Sequence, residues 1–317
     1  MRRISHPGTP ALQRTQVVPA RAEQFDVILQ AGQSFLNAMR QALAPSGVVS
    51  AAVTVWGGAF EPFCYVMPAL SRTPAHAVYF SDRFDVSGAV RLETGTVTVG
   101  LRDGALWLHC HAIWVEPDGT RRCGHLLPDD IVVSEPILAT VSALRGAAFE
   151  VTPDAETNFS LFVPTLRTVG AKDDPAVSAT CLAAPPAAQL TAPHAAPQAE
   201  PRTAIASRPV LAVRLSPNVD VCTALEQICA DHGITRAVVR GGVGSTVGAA
   251  FDDGRIVEPF VTELLIRSGR IEPEAPGALV ARLDISLVDH TGGIAEGRLL
   301  RGANPVLVTC ELVLEPF

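Results

Sequence analysis

Apolar and polar residues alternate with a period of two through much of this chain, and helical spacing surfaces in two places. Residues 25–29 read as a short strand. Gly32 marks a turn, and Ser34 is set to cap a helix that carries Phe35, Met39, Ala42 and Leu43 on one face. Pro45, Ser46 and Gly47 stop that helix, and the β-branched run at 48–55 predicts a buried strand. Residues 59–83 gather aromatics without clean periodicity, which fits a functional loop or a packed connection. Strands are expected within 86–99, at 106–115 and 121–127 around the turn Pro117-Asp118-Gly119, and at 131–144, with an extension at 149–166.

The pattern then restarts. A strand at 210–215 is followed by a helix that Asp220 can cap, carrying Ala224, Leu225, Ile228 and Cys229. Gly233 ends it, a strand follows at 234–239, and Gly241, Gly242 and Gly244 come next. A shift of 173 residues places Leu106 on Leu279, Val115 on Val288, Gly119 on Gly292 and Gly124 on Gly297 without a gap. Earlier in the repeat the shift is 186, so the first copy carries about 13 more residues between its glycine turn and its hairpin. The predicted organisation is a flexible arm at 1–20, a first domain at 21–182, a proline- and alanine-rich linker at 183–209 and a second domain at 210–317.

One stretch carries candidate chemistry. His109 and His111 lie two apart on a predicted strand and so share a face. With the turn centred on Asp118, His125 falls directly opposite His111, with Cβ atoms roughly 4.5–5.5 Å apart. Three imidazoles then converge, a donor set suited to zinc or another late divalent transition metal with a fourth position open. Cys123 falls on the same face and is a candidate fourth ligand. The shift of 173 replaces the three histidines by Arg282, Asp284 and Arg298, which form either a charge-paired cluster or three solvated side chains. One metal per chain is therefore expected, in the first domain.

Composition narrows the classes. The 317 residues carry a net charge of −7, so a general affinity for nucleic acid is not expected. Seven scattered cysteines without a C-x-x-C pair suit reduced thiols, and no apolar run reaches membrane-spanning length, which together predict a cytoplasmic protein.

The helix ending in Asp231-His232-Gly233-Ile234, the glycines 241–244, His109-Cys110-His111, Asp118-Gly119 and Gly124-His125-Leu126-Leu127 together resemble the PCC/PPC (plants and prokaryotes conserved) domain. The resemblance covers roughly residues 25–145 and 210–317. It implies an α+β fold with two tandem copies of a curved, mainly antiparallel sheet packed on one helix. It also implies a trimer-forming module, hence a homo-oligomer that is pseudo-hexameric in domains, and a metal, usually zinc, on His109, His111 and His125. The glycines would form a tight turn after a buried strand.

Two functional classes follow. In the first, the metal serves an enzyme or the binding of a small polar or anionic ligand. Glu61 would be the general base, with Asp82, Glu93 or Glu156 as alternatives; Trp56, Phe60 and Tyr65 would wall the pocket, and Arg121 or Arg122 would meet an anion. In the second, the chain is a DNA-binding or regulatory module, or a structural oligomer braced by metal. Family analogy supports DNA binding, and the acidic balance and the lack of an R-G-R-P core oppose it.

Overall fold

The computed structural model describes residues 2–167, 207–275 and 277–317. The expected linker at 183–209 lies outside them up to residue 206, as does the expected first-domain tail at 168–182.

The first copy runs β1 (Thr15–Leu29), α1 (Phe35–Leu43), β2 (Ala51–Trp56), the short strands β3 (Ala59–Phe60), β4 (Phe63–Val66), β5 (Pro68–Leu70), β6 (Val78–Phe80) and β7 (Phe84–Val86), then β8 (Val90–Arg102), β9 (Ala105–Val115), β10 (Arg121–Leu126), β11 (Val133–Glu135) and β12 (Ile137–Arg145). A hairpin of β13 (Ala147–Pro153) and β14 (Ser160–Leu166) follows. The second copy runs β15 (Arg208–Leu215), α2 (Val221–Asp231), β16 (Ala237–Ala250), β17 (Ile256–Ala275), β18 (Ala278–Asp289), β19 (Ile294–Arg298) and β20 (Val306–Pro316).

Strand neighbours establish the repeat. In the first copy the antiparallel order is β1-β12-β2-β8-β9-β10. In the second it is β15-β20-β16-β17-β18-β19, the same order element for element. The hairpin registers also agree, since His125 opposes His111 and Arg298 opposes Asp284. The fold is thus two tandem, mainly antiparallel sheets, each with one helix, as expected. β1 also pairs with β15, from Thr15 opposite Leu215 to Ala22 opposite Arg208, and this joins the copies edge to edge.

Each helix seals one core. Ser34 caps α1 by accepting from the Asn37 N–H, and Phe35, Leu36, Met39 and Leu43 are buried beneath it. The even-numbered residues of β9, from Leu108 to Trp114, face that core, so the odd-numbered His109, His111 and Ile113 face the second copy. Ile113 and Cys123 pack there on Leu265 and Val288.

Two expectations are corrected. The glycines 241–244 are not a tight turn. They lie inside β16, where the ladder to β20 slips between Arg240 and Val243, and Gly241 and Gly242 have positive φ of 66° and 125°. A Cβ on Gly241 would sit 2.9 Å from Ala52 Cβ, so glycine there permits the close approach of the copies. The arm at 1–20 is no loose tail, because 15–20 form the start of β1 and the preceding residues bind the second copy. Ile4 and Asn218 exchange two hydrogen bonds of 2.8 and 2.9 Å, and His6 Nε2 lies 2.7 Å from the Leu307 carbonyl. The extension at 149–166 is the β13–β14 hairpin that walls the site described below. Among the described residues no helix is long and apolar enough to cross a membrane.

Asp220 caps α2 and also ties down the segment before β20. Its Oδ1 accepts from the N–H groups of Thr223 and Gly302 at 2.9 and 3.1 Å, and its Oδ2 from that of Asn304 at 2.8 Å. Asp220→Ala strips three backbone donors of their acceptor in a buried setting, so urea unfolding should show a loss of about 3 kcal/mol. A loss within error of zero would mean that these bonds do not hold the helix in place.

Candidate metal centre

β9 and β10 position the three histidines, and the second copy holds their rings. The candidate ligand nitrogens of His109, His111 and His125 lie within 4.8 Å of one another. His111 is buried, and its Nδ1 lies 2.8 Å from the Leu264 carbonyl on β17. A carbonyl only accepts, so Nδ1 carries the proton and Nε2 is a bare lone pair. His109 donates from Nδ1 to Glu311 Oε2 on β20 at 2.8 Å, and Thr309 Oγ1 bonds the other oxygen at 3.3 Å. His125 presents Nδ1 at 3.3 Å from His111 Nε2. Burial first, and the neighbouring imidazoles second, push the pKa of His111 and of His125 well below 6.5, so both rings are neutral donors.

A second carboxylate stands beside this set. Glu263 on β17 is buried, and its Oε2 has no hydrogen-bond partner although it lies 3.9 Å from His111 Nε2. Burial pushes its carboxyl pKa up to about 8.

Two spaces adjoin the rings. A chamber of about 60 Å3 is lined by His109, His111, Glu263, Tyr79, Phe80 and Phe159. An outer cleft of about 410 Å3 is lined by Arg102, Trp107, His109, His125, Phe159 and Glu311. The Arg102 guanidinium lies 3.9 Å over the Trp107 ring. A larger cavity of about 470 Å3 lies at the counterpart position of the second copy. It is polar and bounded by Arg282, Asp284 and Arg298; Asp284 pairs with Arg298 at 3.1 Å and Arg282 with Glu274 at 2.8 Å. Those side chains are charge-paired and partly exposed, and they leave no bare nitrogen lone pairs for a metal.

The other expected site residues fall elsewhere. Glu61 is solvent-exposed and lines neither space at the histidines; its N–H bonds the Val132 carbonyl at the far end of the sheet edge formed by β3. It has no geometry for a general base at these rings. Asp82 is an exposed partner of Arg72, Glu93 is held by Arg121, and Glu156 pairs with Arg14. Cys123 shares the histidines' face but packs among apolar side chains, which push its thiol pKa up. Trp56 is partly exposed, whereas Phe60 and Tyr65 are core residues packed with Phe63. Arg121 is engaged by Glu93 and Glu296, and Arg122 lies 3.6 Å from Glu116. The stretch 59–83 divides: its first aromatics enter the core, and Tyr79 and Phe80 close over the site with Phe159. Glu263 and Glu311 lie outside the set of residues that the sequence singles out. The available signal was an acid inside each of two apolar strands, FVTELLI and VTCELVL.

The PCC family model, "Plants and Prokaryotes Conserved (PCC) domain", matches residues 204–317. The match spans the C-terminal copy, and the N-terminal copy repeats that copy's strand order. Similar solved structures include a metal-containing protein from Archaeoglobus fulgidus, 18% identical, with a TM-score of 0.36 over 44% of this chain and 93% of that one. Another is a plant- and prokaryote-conserved protein from Pyrococcus horikoshii, 15% identical, with a TM-score of 0.38 over 48% of this chain and 97% of that one. A third is a candidate DNA-binding protein from Bacteroides thetaiotaomicron, 14% identical, with a TM-score of 0.34 over 44% and 91% of the two chains. No curated protein matches the chain.

The buried groups set opposing pH responses in the metal-free protein. Depressed histidine pKa values give stability that is present above pH 6.5 and lost as pH falls below it. The raised carboxyl of Glu263 gives stability that is present below 4.5 and lost as pH rises towards 8. Two histidines outweigh one carboxyl on the acid side, so melting temperature in chelator should peak near pH 6.5. Glu263→Gln should flatten the alkaline limb; an unchanged limb would show that Glu263 is charged in the folded state.

Proposed function

We propose that the first copy holds one divalent transition-metal ion, of zinc type, on His109, His111 and His125, and that the chain uses it to bind a small polar ligand. The observation that carries this is the commitment of the Nδ1–H groups. His109 and His111 donate them outward to Glu311 and Leu264, which leaves both Nε2 atoms as acceptors. His111 Nε2 lies 3.3 Å from His125 Nδ1, and the three rings bring their candidate ligand nitrogens within 4.8 Å of one another, close enough to share one ion. Neutral imidazoles, one buried and two half-buried, and a carboxylate–histidine pair are a donor set that suits such an ion.

The ion would supply Lewis acidity. The residues of the chain do the rest. Leu264 and Glu311 orient the rings, Phe80 packs edge-on to His125 with ring centroids 5.1 Å apart, and the Arg102–Trp107 stack offers the outer cleft a cation and a flat surface. Arg102 has no hydrogen-bonded carboxylate among the described residues, which favours a ligand bearing a negative group.

Metal analysis of untagged protein tests the reading. The expected content is about one ion per chain, falling to near zero in His109→Ala, His111→Ala and His125→Ala. Glu311→Gln should keep the fold and weaken metal affinity roughly 10–100-fold. Undiminished metal in all three alanine variants would refute the site.

A further inference from the structure

The second copy gives the histidine site a group that none of the ring contacts uses. Glu263 is 7% exposed, in a position where a carboxyl group must find a partner. Oε2 has none, although it lies 3.9 Å from the bare Nε2 of His111. It is not packed away from the site, because it shares the walls of the 60 Å3 chamber with His109 and His111. That space admits a water molecule or the oxygen-bearing end of a small ligand. Tyr79, Phe80 and Phe159 line another side of it, which suits a short apolar or aromatic remainder, and Ser245, Thr262 and Thr309 add hydroxyls from the second copy.

Glu263 also stands outside the ligand set itself, since the mutually close donors are the three histidines. A tetrahedral ion bound to three nitrogens has one direction left. The orphaned oxygen borders the chamber beside the rings, where it can meet what occupies that direction.

We propose that Glu263 is a specificity-determining residue for the fourth position of this site, accepting a hydrogen bond from a protic oxygen ligand such as a hydroxamic acid or water. The inference rests on the three-histidine metal reading. It makes the site a composite, with metal ligands from one copy and the ligand-selecting group from the other. This accounts for a buried carboxylate in a copy whose own hairpin carries no histidines. An aprotic anion has no hydrogen to offer Glu263 and gains nothing from it.

The test uses the full chain loaded with cobalt(II), whose visible spectrum reports coordination without reference to any enzymatic activity. Acetohydroxamic acid and azide are titrated separately into the wild type, Glu263→Gln and Glu263→Ala at about pH 8.5, above the value of about 8 to which burial raises the Glu263 carboxyl. The expected result is unchanged cobalt content in all three proteins, acetohydroxamate binding weakened at least roughly tenfold in both variants, and azide binding within about threefold of wild type; a tenfold change is 1.4 kcal/mol. Loss of cobalt from Glu263→Gln with its melting temperature retained would make Glu263 a direct ligand and overturn the proposal. Equal effects on both probes, or none on either, would reduce Glu263 to a packing role and overturn it too. A wild type that takes up no cobalt at all refutes the metal reading itself.

Discussion

Two hydrogen bonds across the boundary between the copies orient the histidine rings. The Leu264 carbonyl and the Glu311 carboxylate each take an Nδ1–H, one from His111 and one from His109. An imidazole has one proton to give when neutral, so each bond decides which nitrogen stays bare. The bare atoms face inward, and burial keeps the His111 and His125 rings neutral. Without the second copy the same rings would lie on an open sheet face, where water could accept from either nitrogen.

The architecture exists to hold that boundary. β1 pairs with both β12 and β15, so one strand belongs to both sheets. Gly241 lets the sheets approach to van der Waals contact at Ala52, and Thr96 donates to the Gly242 carbonyl at 2.9 Å across the same contact. Arg121 adds a bridge between Glu93 of the first copy and Glu296 of the second. The bond between Thr96 and Gly242 is buried and stays unscreened, whereas the Arg121 bridge is partly exposed and contributes less to the docking.

Duplication has separated the roles of the two copies. The first keeps the histidines and the core beneath them. The second has Arg282, Asp284 and Arg298 at the equivalent register and contributes carboxylates from strands that face the first copy's rings. The identical strand order shows that the scaffold does not need the histidines, because the second copy folds the same way without them. A protein with two equal sites would need each copy to serve the other. Here the contacts run in one direction, from Leu264 and Glu311 of the second copy to the histidines of the first.

The sequence by itself determined the two helices with their caps at Ser34 and Asp220, the tandem repeat and the pairing of His125 with His111, because those features depend on residues near in the chain or on a strand period of two. A turn centred on Asp118 is enough to set that register, and nothing distant can shift it without turning Cys123 and His125 to the wrong face. Only the tertiary structure decided which carboxylates lie beside the histidines. Glu61, near the first glycine turn, was the natural choice in one dimension, yet it is exposed beside Val132. Glu263 and Glu311 lie more than a hundred residues away from the histidines and meet them because the sheets pack face to face. Alternation tells which face of a strand a side chain takes; it carries no information on which other sheet that face will meet. The glycines 241–244 were misplaced for the same reason, since the neighbour they make room for, Ala52, belongs to the other copy.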